Sequence, residues 1–346
     1  MASRVKHRLI GAGLGLIAGT AADRWLGPLV RGQGAILMFH HVRPARRELF
    51  QPNRLLEITP EHLDLTLTLV KRLGYAIVPL DEVPARLARG DGRFVALTFD
   101  DGYRDNVEHA LPVLRRHGAP WTLFVTTDYA DGEGRLWWLE LEEAVRALSE
   151  IPLGGRTLPS RTLPEKESAF ATANAELRAG PEARLRDTVA RWFDLARLDR
   201  QALVRGLCLG WDELRALSAE KGLALGAHTL SHPMLAKHEE ASARREIAES
   251  GRVIAARLGR PVRHFAYPVG DPSSAGAREF RLAQEAGYAT AVTTRPGHVF
   301  PAHAGHLLAL PRVSVNGLHQ TEAALRALLS GVPFLLWNRG RRLNVG

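Results

Sequence analysis

The chain has 346 residues, of which 45% are hydrophobic and 24% charged, a globular composition that excludes a disordered tail, a collagen or a coiled coil. The net charge of +9 is compatible with anionic neighbours such as nucleic acid, acidic glycans or phospholipid headgroups, and does not choose among them. The single cysteine, Cys208, excludes an intramolecular disulfide and a multi-cysteine zinc site, but leaves sites built from His and Asp open.

Residues 1–34 are predicted to form a basic, amphipathic N-terminal helix. Three basic residues precede an apolar, glycine-rich run over residues 9–22. We favour a helix that packs on the protein or lies at a membrane surface, because the run has few bulky residues and residues 23–31 continue it as an amphipathic pattern with Arg24 and Arg31 interspersed. At about 14 residues the run is also shorter than the roughly 20 that cross a bilayer. A signal peptide or anchor and a disordered segment are the alternatives. The expected location is cytoplasmic or peripheral to a membrane, or periplasmic if residues 1–22 act as a signal.

From residue 35 onward, short apolar runs alternate with amphipathic stretches that end in glycine, which predicts parallel strands joined by crossover helices. The strand candidates are residues 35–40, 75–78, 94–99, 121–127, 223–226, 264–267, 288–294 and 308–315. About eight such strands favour a closed parallel barrel over an open sheet.

The predicted barrel domain spans residues 35–320. A loop rich in Gly, Pro, Ser and Thr and a charged, alanine-rich helical stretch interrupt it over about 151–205, which we interpret as a helical insertion on the barrel. Residues 321–346 are predicted to form a C-terminal helix and a basic tail. This tail is apolar and then basic, and it either packs on the protein or touches a membrane.

Two adjacent carboxylates follow the strand candidate at 94–99. Asp100 and Asp101 come at its carboxyl end, and in parallel α/β folds that edge is where sites are built. Because neighbouring side chains diverge, one carboxylate can hold a metal while the other faces substrate or water. The alternative is a turn that caps the helix beginning near Asn106.

Two histidines four residues apart, His228 and His232, follow the strand candidate at 223–226. At a turn, two such imidazoles can converge on one cation, and a carboxylate from elsewhere completes a facial set with open positions. With 14 histidines in the chain a chance pair is expected somewhere. A histidine pair that follows one predicted strand, together with an Asp-Asp-Gly sequence that follows another, is much less expected by chance.

Two further motifs end predicted strands. The sequence Tyr-Pro-Val-Gly at 267–270 forms either a rigid turn whose N–H can face an oxyanion or a structural turn in which Tyr267 packs. His40 and His41 end the first strand. A histidine there serves as general acid or base, or is a buried, hydrogen-bonded core residue.

Together these motifs resemble the polysaccharide deacetylase family, carbohydrate esterase family 4, which includes the nodulation chitooligosaccharide deacetylases. The resemblance covers roughly residues 35–317 and rests on three motifs in this order: Thr98-Phe99-Asp100-Asp101-Gly102-Tyr103, His228-xxx-His232-Pro233 and Phe265-x-Tyr267-Pro268-x-Gly270. It implies a distorted (β/α) barrel of seven or eight parallel strands with a helical insertion. It also implies metal-dependent removal of N-acetyl groups from an N-acetylglucosamine-type sugar or polysaccharide.

The resemblance further implies a divalent metal, usually zinc and with cobalt as the other candidate, held by Asp101, His228 and His232. Asp100 is then the general base, and the N–H of Val269 helps to stabilise the oxyanion.

Two departures from the usual family pattern indicate a subgroup. The Ile-x-Leu-x-His segment is missing, and Ala266 stands where the family has Arg. Both departures resemble biofilm poly-N-acetylglucosamine deacetylases, in which a Tyr-His-x-Val motif at the domain start supplies the acid. We therefore assign His40 as the acid, with His41 as the alternative. Arg312 resembles an Arg at the end of this subgroup's core, where it orients Asp100 or forms a purely structural salt bridge.

Four aromatic or proline residues are assigned to substrate binding: Tyr103, Tyr267, Pro268 and Trp138. The pair Trp137-Trp138 opens a predicted helix, and at helical spacing large aromatics also serve as core.

The predicted partner is an N-acetylated oligo- or polysaccharide, with peripheral membrane contact through the N-terminal helix as a further candidate and nucleic acid not expected. A catalytically inactive carbohydrate-binding homologue and a deacetylase of O-acetyl or non-sugar amide substrates are the alternative functions.

Overall fold

The computed structural model describes residues 2–90 and 92–345, without the side chains of residues 2–8. Met1 and Gly346, the outer ends of the two predicted terminal segments, lie outside the described residues. In chain order the strands are β1 (Gly34–Phe39), β2 (His41–Val42), β3 (Glu57–Ile58), β4 (Ala76–Ile77), β5 (Phe94–Phe99), β6 (Trp121–Val125), β7 (Glu150–Leu153), β8 (Arg156–Pro159), β9 (Leu223–Ala227), β10 (His264–Ala266), β11 (Thr290–Pro296) and β12 (Leu310–Ser314).

The α-helices cover both termini, the outside of the sheet and the segment before β9. They are α1 (Ala2–Gly19), α2 (Ala22–Trp25), α3 (Gly27–Val30), α4 (Pro60–Arg72), α5 (Val83–Arg89), α6 (Leu111–His117), α7 (Thr127–Ala130), α8 (Trp137–Ala147), α9 (Leu163–Ala179), α10 (Glu182–Leu195), α11 (Arg200–Leu207), α12 (Trp211–Leu217), α13 (Glu240–Leu258), α14 (Ala277–Glu285), α15 (Glu322–Ser330) and α16 (Val332–Trp337). A π-helical segment, Asn106–Ala110, leads into α6. No described helix combines the length and hydropathy needed to cross a bilayer.

Seven parallel strands close into a barrel in the order β1, β12, β11, β10, β9, β6, β5, with β5 pairing back onto β1. This confirms the predicted (β/α) barrel. Each of the eight strand candidates overlaps an observed strand, but β4 pairs only with β5 and lies outside the closed ring. The two residues of β4 are not buried. Every residue of β1 and β5 is buried, as expected for barrel strands that are covered on both faces.

The helix caps and helix-ending glycines predicted from the sequence are present in the structure. Thr59 caps α4, since its side chain accepts from the His62 N–H at 3.2 Å, and Pro60 is the first residue of that helix. The glycines predicted to end helices before strands all have positive φ values: Gly74, Gly118, Gly222 and Gly287.

Residues 150–207 form the β7–β8 hairpin followed by α9, α10 and α11. Their apolar side chains share a core with α8, with Tyr103 after β5 and with Met234 after β9. This helical segment therefore packs at the carboxyl ends of the strands, next to the candidate residues.

Candidate active site

The carboxyl ends of the barrel strands bring together residues that lie far apart in sequence. β1 and β5 run in register from Gly34 beside Phe94 to Phe39 beside Phe99, so the residues that follow them, His40 and Asp100, are neighbours. Most of the predicted catalytic and metal-binding residues come after the last residue of a parallel strand. Closure of the barrel therefore places them around one opening.

Asp101, His228 and His232 converge on one point. The Asp101 Oδ1 atom lies 3.4 Å from His228 Nε2 and 3.3 Å from His232 Nε2, and one ligand atom from each of the three residues lies within 4.8 Å of the others. All three side chains are buried. Asp101 and His232 have left-handed backbone φ values of 70° and 59°. Strain of this kind in non-glycine residues costs on the order of 1–3 kcal/mol and clusters at functional sites.

The unpaired groups of this cluster fit a divalent cation. Oδ1 of Asp101 is buried and accepts no hydrogen bond from any described residue. The Nδ1 atom of His228 lies 2.7 Å from the carbonyl oxygen of Ala266 and donates to it, so Nε2, which faces Asp101, is the ring nitrogen available to a cation. One carboxylate and two neutral imidazoles form a donor set suited to zinc or cobalt.

The charge states of this cluster agree with a ligand role for the carboxylate. Burial by itself raises the pKa of Asp101, but contact with His228 and His232 outweighs burial, and this pKa lies well below its usual value. Asp101 is therefore ionised at neutral pH, so its oxygen is available to a cation.

Asp100 is held by Arg312, a residue of β12. The guanidinium Nη1 and Nη2 atoms donate to Oδ1 and Oδ2, each at 2.7 Å, and Nε donates to the Thr293 carbonyl at 2.8 Å. Both partners of the ion pair are buried. Burial raises the pKa of Asp100, yet the Arg312 charge and its hydrogen bonds lower it further than burial raises it, so the net pKa lies below the usual value. The carboxylate is therefore ionised and oriented at neutral pH.

The two adjacent histidines face different ways. His40 Nε2 lies 3.9 Å from Asp100 Oδ2, and its side chain remains 16% exposed at the opening. His41 is buried, with Nδ1 2.6 Å from Asp105 Oδ2 and its ring stacked on Tyr103 at 3.6 Å between centroids. The site therefore contains His40 and not His41. Burial lowers the pKa of His40, and the nearby Asp100 offsets part of this effect.

The Tyr-Pro-Val-Gly turn after β10 presents the Val269 amide. Val269 and Gly270 have φ values of 60° and 62°, and the Val269 carbonyl accepts from Thr294 Oγ1 at 2.6 Å. A Cβ on Gly270 would lie 2.8 Å from the Thr294 nitrogen, so glycine is required there. The Val269 N–H has no acceptor among the described residues.

The predicted substrate-binding residues divide into two groups. Tyr267 is fully buried and donates to the Leu308 carbonyl at 2.8 Å, and Tyr103 is fully buried against His41. The structure places these tyrosines in the core, with no surface for a substrate, because their rings point into the packing. Trp138 packs with its ring centroid 4.8 Å from that of His232, is 7% exposed, and so lines the site's wall. Pro268 is buried within the turn.

Sequence reasoning missed a pair of residues on α10 that holds the His232 loop. Arg186 donates to the His232 carbonyl at 2.7 Å, and Glu182 accepts from the Met234 N–H at 2.7 Å and from Arg186 Nε at 2.7 Å. Burial raises the pKa of Glu182, but His238 and Arg186 bring it down to about 2. A charged residue pair four apart on a helix is a common surface pattern, so no signal in the sequence marks these residues.

Comparison with known proteins identifies a protein family that this chain matches. A family model described as polysaccharide deacetylase matches residues 88–291, a range that includes the Asp100-Asp101 pair, both converging histidines and Val269. His40 and Arg312 lie outside it. A search of curated proteins finds no match.

Solved structures share the fold. The Streptococcus pyogenes deacetylase PplD, solved in complex with acetate, is 19% identical with a TM-score of 0.57, covering 86% of this chain and 96% of that one. IcaB from Ammonifex degensii is 18% identical with a TM-score of 0.54, covering 86% and 97%. BC0361, a polysaccharide deacetylase from Bacillus cereus, is 16% identical with a TM-score of 0.52, covering 84% and 68%.

Proposed function

The chain belongs to the polysaccharide deacetylase family, and we propose that it hydrolyses the N-acetyl groups of an N-acetylglucosamine-type polymer in a metal-dependent reaction that releases acetate. The observation that carries this proposal is the buried convergence of Asp101, His228 and His232 beside the ionised Asp100. An amide is cleaved by water in this reaction, so the site must activate water, hold an oxyanion and protonate the departing nitrogen.

Asp101, His228 and His232 are the residues that would hold the cation, with zinc as the first candidate and cobalt as the second. Such a cation supplies Lewis-acid polarisation of the acetyl carbonyl and lowers the pKa of a water molecule. Asp100 then serves as the general base. Its carboxylate is kept ionised by Arg312, so it can accept the proton that the attacking water loses.

His40 and Val269 complete the cycle. The unpartnered N–H of Val269 donates to the oxygen that becomes negative when water adds to the carbonyl. Protonated His40, whose Nε2 stands 3.9 Å from Asp100, donates its proton to the nitrogen as the carbon–nitrogen bond breaks. The products are acetate and a free amine on the sugar.

The placement of His40 also supports assignment to the subgroup that resembles biofilm poly-N-acetylglucosamine deacetylases. In this proposal the acid comes from the end of the first barrel strand. The intact set of four charged or ligating residues weighs against an inactive binding homologue. A deacetylase of O-acetyl esters or non-sugar amides remains the second candidate, since the same groups would cleave either bond.

The test is acetate release from N-acetylglucosamine oligomers by metal-stripped protein after zinc or cobalt is restored, beside Asp100→Asn and His40→Ala. We expect metal-dependent release that Asp100→Asn abolishes and His40→Ala strongly reduces. Metal binding without acetate release from any oligomer would overturn the substrate class. Failure to bind either metal would overturn the metal-dependent mechanism.

A further inference from the structure

We propose that the two chain termini form one docking face for the surface of a bilayer that contains anionic phospholipids. This terminal face consists of α1, α2 and α3 (residues 2–30) together with residues 331–345, which include α16. The inference is independent of the proposed deacetylation, because it concerns where the protein sits and not what the site cleaves.

The two segments form a continuous surface. The inner side of α1 packs on α15 through an apolar cluster of Ile10, Leu14, Ile17, Ala324, Ala327 and Leu328. Asp23 of α2 forms an ion pair with Arg326 of α15 at 2.6 Å. Arg342 donates to the carbonyl of Leu29 at 3.3 Å, which joins the C-terminal tail to α3. The N-terminal helices are therefore fixed to the barrel, and their outer side is defined.

The outer side of this face is unusually apolar. Of the eleven large hydrophobic side chains that the described residues expose, seven belong to these two segments: Leu9, Leu16, Trp25, Leu29, Leu335, Leu336 and Trp337. Residues 9–19 contain no polar side chain at all, although one side of α1 faces outward. A folded protein rarely leaves such a patch in water, so the face has an occupant.

Charge identifies the occupant. In the sequence, residues 2–30 and 331–345 contain seven basic residues and one acidic residue, a net of +6 out of the +9 of the whole chain. The one acidic residue, Asp23, is already paired with Arg326. The exposed leucines and tryptophans share these segments with the exposed Arg24, Arg339, Arg341 and Arg342. This combination matches the boundary of an anionic bilayer, where apolar side chains enter and arginines meet phosphate groups.

The geometry of the fold is consistent with shallow docking. No described helix can cross a bilayer, so this face would lie on the membrane rather than span it. Three residues separate the end of α3 at Val30 from the start of β1 at Gly34, so α3 lies near the amino ends of the barrel strands. The candidate active site lies at the carboxyl ends, so the α3 end of the terminal face and the site are at different ends of the barrel.

The first experiment compares flotation of the full chain with vesicles of phosphatidylcholine alone and of phosphatidylcholine mixed with phosphatidylglycerol. We expect binding to the anionic vesicles that falls when salt is raised. The double variant Leu29→Gln/Leu336→Gln removes two apolar side chains from the face. Its matched control, Leu49→Gln/Leu195→Gln, removes two leucines elsewhere on the surface whose exposure is comparable. Only the first variant should lose binding.

A second pair of variants separates local from overall charge. One removes three arginines from the face and the other removes three from the rest of the surface, so both chains carry +6: Arg339→Ser/Arg341→Ser/Arg342→Ser, and Arg215→Ser/Arg245→Ser/Arg252→Ser. Since each arginine near an anionic surface contributes on the order of fivefold in affinity, the first triple variant should bind at least about tenfold more weakly. The second should bind as the parent does.

Melting temperature and circular dichroism serve as controls for folding. Absence of binding to anionic vesicles would overturn the proposal, as would equal loss in each variant and its matched control. If light scattering instead shows a dimer that Leu29→Gln/Leu336→Gln converts to a monomer, without vesicle binding by the parent, the face is an interface between two copies of this chain.

Discussion

Replacing Arg312 with methionine removes the guanidinium that pairs with Asp100 while keeping much of the side-chain volume. Both partners are almost fully buried, and the pair is bidentate at 2.7 Å for each bond. Breaking a buried pair by removing one partner costs about 3–5 kcal/mol, because the remaining charge is left without compensation. That is a large share of the roughly 5–15 kcal/mol by which a typical domain is stable, so we expect a large fall in the free energy of unfolding at neutral pH.

The loss should depend on pH in a definite direction. In the parent, Arg312 lowers the pKa of Asp100, so the pair stabilises the fold above the ordinary value of 3.8 and loses this effect as pH falls through the lowered pKa. In Arg312→Met the largest lowering contribution is gone and only the weaker influence of His228 and His40 opposes burial, so the pKa of Asp100 should rise. The carboxyl then takes up a proton on the way down from neutral pH and no longer needs a cation. The difference in stability between parent and variant should therefore shrink as pH is lowered.

Activity should follow the same titration. A protonated Asp100 cannot accept a proton from water, so the acidic limb of the kcat/KM profile should move to higher pH in Arg312→Met. At neutral pH we expect a loss of about 10²-fold or more, since general-base catalysis contributes roughly 10²–10⁴-fold. Arg312→Lys keeps the positive charge but not the two paired hydrogen bonds. It should therefore lose less stability and less kcat/KM than Arg312→Met.

Denaturant unfolding at a series of pH values and kcat/KM profiles measure these effects. Asp100→Asn in the Arg312→Met background is the deciding control, because the double variant buries no unpaired charge and should be more stable than Arg312→Met alone. If the stability loss is the same at all pH values and Asp100→Asn does not relieve it, Arg312 acts through its bond to the Thr293 carbonyl and its packing, and the electrostatic argument is wrong.

Three further predictions follow from the site. His40→Ala should lower kcat by about 10²–10⁴-fold without changing zinc affinity, whereas His41→Ala should mainly lower the melting temperature; equal kcat losses would contradict the assignment of the acid. Arg186→Met should weaken zinc binding about 10–100-fold by calorimetry, because it frees the loop that carries a ligand, while Arg184→Met on the same helix should not. Zinc should raise the melting temperature of the metal-stripped parent but not of Asp101→Asn; stabilisation of both would place the cation elsewhere.

Most strands of the barrel could be predicted from the sequence, because strands covered on both faces must be nearly continuous apolar runs. The run at 94–99 coincides with β5, and the glycines before strands have the left-handed conformation that a helix end requires. The exception is β4, where a predicted strand lies outside the ring. A single sequence carries no strand order, so the number of strands that close the barrel could not be derived from it.

For the candidate site, the sequence predicted only which residues and motifs take part. Asp100, Asp101, His228 and His232 stand where apolar runs end, and the chemistry of carboxylates and imidazoles makes them candidates wherever those ends meet. The same reasoning assigned the core residues Tyr103 and Tyr267 to substrate, because a motif does not state which way a side chain points.

The sequence by itself determined the fold class, the residues at the strand ends and the uneven charge of the chain, because each depends on local pattern or composition. Tertiary structure decided the rest. Only closure of the barrel brings Arg312 onto Asp100 across 212 positions, turns His40 rather than His41 into the opening, and sets Arg186 against the His232 loop. These contacts depend on strand register and side-chain direction, which arise from packing between segments that are distant in the chain.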